Sequence, residues 1–126
     1  MVRIVIPVAK VKVREGEEYR VYPHFSRAPY FAMVDVEESG SYSVNLLENP
    51  LSKEIDFGRR GRGRLIVEFI LGHSPYAVVT TFLGSGAYYR LIENGIKVLK
   101  PVRKDVRGIV EDFVRGRLTP LEGPVE

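Results

Sequence analysis

The chain contains no cysteine and only two histidines, and it has no apolar run long enough to cross a bilayer. Without thiols there can be no disulfide, and no thiolate can ligate zinc or an iron–sulfur cluster. Two imidazoles do not make a closed metal site by themselves. The opening Arg3-Ile4-Val5-Ile6-Pro7-Val8 is too short and too interrupted for a signal peptide or a membrane span. A cytoplasmic protein without a membrane partner is therefore expected. The first apolar stretch, Val2 to Ala9, also lacks any acidic residue, which argues against a two-metal nuclease.

What is present is the composition of a folded protein. The 126 residues suit one domain, and the 44% hydrophobic and 28% charged fractions are globular values. A chain of this length can form a core without covalent staples. Net charge is +3, and 13 of the 19 basic residues are arginine. So modest an excess does not by itself imply nucleic acid. Abundant Arg and Glu with no Cys gives the chain a thermophilic flavour.

Patterning along the chain predicts strands first, then strands alternating with helices. Val2 to Ala9 reads as a buried strand, and Lys10 to Tyr22 as a hairpin or a polar loop with an edge strand. Pro23 to Pro29 is irregular, because each proline restricts the residue before it. Tyr30 to Glu37 and Tyr42 to Glu48 form a hairpin about Ser39-Gly40. Asn49 to Gly63 reads as a loop. Helical spacing follows from Arg64 to Leu71, then a strand from Tyr76 to Leu83, a helix over Ala87 to Glu93 and a short strand over Ile96 to Leu99. Asp105 is a candidate N-cap for a last helix that ends at Gly116. This order suggests a mixed sheet with helices packed on it: one domain over 1–118 and a tail over 119–126.

Three segments could carry chemistry. His24 lies in the irregular segment, next to Phe25, Ser26 and Arg27, and an imidazole there could ligate a metal or order the loop. The loop Gly58-Arg59-Arg60-Gly61-Arg62-Gly63-Arg64 combines permissive glycines with four guanidiniums ahead of a helix, which suits an anion. It lacks the Lys-Ser/Thr ending of a P-loop. A solvated loop and a nucleic-acid-binding segment are the other readings of it. Gly84-Ser85-Gly86 opens a helix after a strand, where open α/β sheets bind ligands. Tyr89 stands where the third glycine of a dinucleotide fingerprint belongs, so a dinucleotide is disfavoured. His73 follows Gly72 at a helix end and is read as structural. Asp35 and Glu37 share a strand face but make no convincing acid–base pair, and spacing identifies no Ser/His/Asp arrangement, so an enzyme is not expected.

The strings Arg3-Ile4-Val5-Ile6-Pro7-Val8, His24-Phe25-Ser26-Arg27-Ala28-Pro29-Tyr30-Phe31 and Val34-Asp35-Val36 together resemble the opening of the dinitrogenase iron–molybdenum cofactor biosynthesis family. That family includes NifX/NifY-type proteins and the C-terminal domain of NifB. The likeness continues through Glu48-Asn49-Pro50, Val78 to Tyr89, Asn94 to Val98 and Val110 to Leu118. The resemblance implies a ribonuclease-H-like three-layer α/β/α fold with a five-stranded mixed sheet. It also implies a transient carrier role, without catalysis, for an iron–sulfur or iron–molybdenum-type cluster or its precursor, with cofactor-assembly proteins as further partners. His24 and Arg27 are the contacts it carries over, with His24 the one available metal ligand. Ser26 stands where the family has glycine, and arginines replace the Gly and His that many members carry after Asn49-Pro50. Charge-based holding of an anionic cluster is therefore favoured over multiple ligation. A nucleic-acid-binding module using loop 58–64 is the alternative, and a hydrolase or transferase acting on a phosphorylated small molecule at Gly84–Gly86 is a third reading.

Overall fold

The structure, a computed structural model, describes residues 1–51 and 62–125, with the side chain of Arg62 excepted. Its longest strand is β1 (Val2–Val13), whose β-branched first half is buried and whose second half alternates apolar and charged residues. The two halves therefore find different partners. The first pairs antiparallel with β3 (Tyr30–Val36) and parallel with β5 (Ala77–Val79). The second pairs with β2 (Gly16–Val21) in a hairpin whose turn is closed by Gly16 at φ 136°. β4 (Tyr42–Glu48) continues the sheet beyond β3, while β6 (Lys97–Lys100) and β7 (Thr119–Pro120) continue it beyond β5. The order is β4-β3-β1-β5-β6-β7, with β2 on β1 off this path. β1, β5 and β6 run parallel, and every other pairing is antiparallel.

Period-two alternation sends the strand side chains to two cores. On one face Val5, Phe31, Met33, Val78 and Val98 meet Ile66, Val67 and Ile70 of α1 (Arg62–Leu71) and Ala87 and Leu91 of α2 (Ser85–Glu93). On the other, Ile4, Ile6, Val8, Ala32, Val34 and Val79 meet Val106, Ile109 and Val110 of α3 (Val106–Val114). Helices thus cover both faces of a mixed sheet.

Three expectations change. The sheet has seven strands, not five. β2 is added because β1 runs on past the sheet's centre. β7 is added because Leu121, read as part of a tail, is buried against the α1/α2 face and donates its N–H to Val98 O at 2.9 Å. β5 ends at Val79 and does not reach Leu83. Thr80 N still bonds Leu99 O, but Phe82 and Leu83 turn away to pair with Pro23–Phe25 and with Val125. Helix α1 begins two residues before the expected Arg64.

Candidate functional site

The parallel strands β1, β5 and β6 all point the same way, so the loops after β5 and β6 open at one end of the sheet. There the chain brings together two of the three sequence candidates. The backbone of Thr81–Leu83 leaves the sheet and bonds the His24 segment: Phe82 N donates to Pro23 O (3.1 Å), Phe25 N to Phe82 O (3.2 Å), and the Thr81 hydroxyl to Pro23 O (3.0 Å). On its other side Leu83 exchanges two backbone bonds with Val125, at 2.7 and 2.9 Å. The Gly84 turn thus follows a segment held between the His24 loop and Val125.

Within Phe25–Arg27, a single 3-10 turn, the side chains separate by environment. Phe25 is buried and packs on Phe31 with ring centroids 5.4 Å apart, anchoring the loop in the core. His24 and Arg27 are exposed and Ser26 is half-buried. The His24 imidazole lies over the Phe82 ring, centroids 5.3 Å apart and planes 28° from parallel, which fixes its plane while leaving it open to solvent. Arg27 forms no ion pair among the described residues.

Asn49 closes the loop from below. It is 1% exposed, and its amide donates to Ser26 O (3.1 Å) and Ala28 O (2.8 Å) while its Oδ1 accepts from Leu51 N (2.8 Å). The sequence identified Asn49 only as a loop opener. Its buried polar neighbours lie more than twenty residues away and left no local signal. Phe82 went unnoticed for the same reason.

Helix α2 starts at Gly84, which supplies no side-chain cap, and Ser85 and Gly86 are exposed. The first-turn N–H groups and the positive end of the helix dipole thus follow directly on the Phe82–Leu83 segment, whose Phe82 ring carries the His24 imidazole. Thr80, at the end of β5 just before these residues, is fully buried, and its hydroxyl has no partner among the described residues.

The third candidate is only partly visible. Arg59 and Arg60 lie outside the described residues, as does the side chain of Arg62, whose backbone opens α1. Arg64 is exposed on that helix. His73 is half-buried with its ring edge on Phe69, 5.1 Å between centroids, and its carbonyl accepts from Arg3 at 2.8 Å, in keeping with a structural role.

Several charges elsewhere are paired within the chain. Arg3 makes two hydrogen bonds to Asp35 and so holds its carboxyl below the usual range, which removes Asp35 as an acid–base candidate. Arg103 does the same to the buried Asp112 and also reaches Glu111. Among the described residues no group of three His, Cys, Asp or Glu could hold a metal, and no helix is long and apolar enough to cross a membrane.

Together, the mixed sheet with helices on both faces and this loop pair define the class. The chain belongs to the dinitrogenase iron-molybdenum cofactor family, whose model matches residues 4–116. Membership associates it with the biosynthesis of that cofactor. An uncharacterized protein of Methanocaldococcus jannaschii is 25% identical over 103 residues, covering 82% of this chain and 84% of its own. A structure named as a candidate NifB protein from Thermotoga is 25% identical, with a TM-score of 0.72 over 100% of this chain and 98% of that one. The apo form of the orange protein from Desulfovibrio gigas shares the fold: TM-score 0.80, 24% identity, 100% and 98% coverage. Relatives from Methanocaldococcus and Thermotoga fit the thermophilic composition.

Proposed function

We propose that the protein is a small cytoplasmic carrier, without a reaction of its own, for an anionic iron–sulfur or iron–molybdenum-type cofactor or its precursor. The cargo sits at the sheet end bounded by His24, Arg27 and the first turn of α2. Fit to the residues present decides how it is held. One exposed imidazole can make one metal bond, and the described residues offer no group of three His, Cys, Asp or Glu ligands. The rest of the holding falls to charge and hydrogen bonding: the Arg27 guanidinium and the backbone N–H groups of Ser85 and Gly86 at the helix N-terminus. Phe25 anchors the loop below and Ser26 is tied through its carbonyl to Asn49. Arg59, Arg60 and Arg62, expected from the sequence as further anion contacts, lie outside the described residues except for the Arg62 backbone. Cofactor-assembly proteins are the partners that donate or receive the cargo. The fold follows the ribonuclease-H-like scheme, with β1, β3, β4, β5 and β6 as its five-stranded nucleus.

The observation that carries this reading is the juxtaposition of the His24 ring, fixed on Phe82, with an uncapped helix start inside the segment matched to the family. It is tested by anaerobic titration with isolated iron–molybdenum cofactor, read by absorption and by co-migration on gel filtration. Wild type retains the cofactor, while His24→Ala and Arg27→Ala each weaken retention about tenfold, about 1.4 kcal/mol. No retention, or retention indifferent to His24→Ala, overturns the reading.

A further inference from the structure

The sheet has three edges, and they are protected unequally. β2 carries Glu17, Glu18 and Arg20, with Lys10 and Glu17 paired across the hairpin and Glu18 and Arg20 paired along it. β7 is two residues long and contains Pro120. Charge, proline and shortness are the usual means by which edge strands avoid pairing with another chain. β4 carries a charge only at its last residue, Glu48. It is seven residues long, has no proline, and is uncharged from Tyr42 through Leu47. Among the described residues no strand lies on its outer side.

The exposed part of β4 is also apolar on one face. Tyr42 and Val44 are 37% and 44% exposed, and with Leu46 they line a groove of about 500 Å³ completed by Tyr19 and Val106 and rimmed by Glu18, Asp105 and Arg107. Tyr42, Val44 and Leu46 are the period-two set that lies opposite Val36, Val34 and Ala32 of β3.

We infer that β4 is a self-association edge, and that its occupant is β4 of a second copy, paired antiparallel about a two-fold axis at Val44. The strand's own sequence argues for a second copy. An axis at Val44 sets Val44 opposite Val44, Ser43 opposite Asn45, and Tyr42 opposite Leu46. From Tyr42 to Leu46 each apolar residue on this face meets an apolar one, the two small polar residues face each other, and no charge meets a like charge; Leu47 meets Ser41 on the other face. The three residues keep to one face of the continued sheet, so the two grooves join across the axis. An arbitrary extended partner has no reason to match this alternation. The inference concerns an edge away from the His24 site and stands or falls independently of the carrier reading.

Sedimentation velocity across a concentration series tests it, with two variants of the full chain. Wild type shifts from the 14.3 kDa monomer to a dimer at about micromolar concentration. Val44→Lys sets two ammonium groups face to face at the axis and weakens the dimer at least about tenfold, with an unchanged circular dichroism spectrum, since the position is exposed in the monomer. Val44→Cys, the one thiol in a chain without cysteine, oxidises to a disulfide-linked dimer, because the two β-carbons are opposed. A monomer up to about 100 µM overturns the inference, as does a dimer that Val44→Lys leaves intact and Val44→Cys does not crosslink.

Discussion

Two helices begin at the same end of this sheet, one after β5 and one after β6, and they begin in opposite ways. α3 is closed by its own chain. Asp105 accepts from Gly108 N at 2.9 Å, and Arg103 crosses the first turn to Asp112, Glu111 and the Gly108 carbonyl. The packing is so close that a β-carbon at Gly108 would lie 2.8 Å from Asp105 Oδ1 and 3.0 Å from Arg103 Nε, which explains a glycine inside a helix. α2 begins on Gly84 with no side-chain cap, two residues after the Phe82 on which the exposed His24 imidazole stacks. A carboxylate on α3 does what an incoming anion would do on α2. Within one chain, the contrast separates a helix start used for stability from one left open.

Three substitutions sharpen or break that contrast. The largest effect is expected at Asn49→Ala. It leaves the Ser26 and Ala28 carbonyls and the Leu51 N–H without their partner, costs about 2–3 kcal/mol in chemical denaturation, and loosens the loop that carries His24. Wild-type stability in that variant means the loop is not held from below. Asp105→Ala comes next, at about 1 kcal/mol by the same measurement, with cofactor retention unchanged because only the closed helix is touched. Loss of retention there would merge the two helix starts into one site. The smallest stability effect is expected at Gly86→Asp. A β-carbon at Gly86 meets nothing within 4 Å, and an acid in the first turn of α2 gains roughly 0.3–1 kcal/mol from the dipole. The same variant should lose cofactor retention about tenfold, since it supplies in cis the negative charge the site otherwise takes from its cargo. Retention unaffected by Gly86→Asp would show that the α2 start is open for no purpose.

Much of the architecture was legible because it is written in local periodicity. Ile4, Ile6 and Val8 against Val5, and Ile109 and Val110 with Phe113, mark faces within a few residues. The Asp105 cap was legible for the same reason. The failures are all non-local. Tyr76 to Leu83 reads as one β-branched strand, yet Phe82 pairs with Pro23 and Phe25, and no window of sequence contains both partners. Leu121 lies in a proline-flanked segment that patterning alone makes a tail, and only Val98 and the α1/α2 core make it a strand neighbour. At the proposed site, His24 and Arg27 come from a resemblance in their string. Asn49 and Phe82, which hold that string in place, were not.

The paired backbone of Leu83 and Val125 has a consequence for the order of synthesis. The His24 loop comes early in the chain, the α2 turn much later, and the Val125 bridge that brackets that turn later still. Loop closure over such separations is slow and comes after local structure has formed. A chain that has made the His24 string has therefore not yet made the segments that bracket it, and the proposed site forms only once Leu83 and Val125 have met.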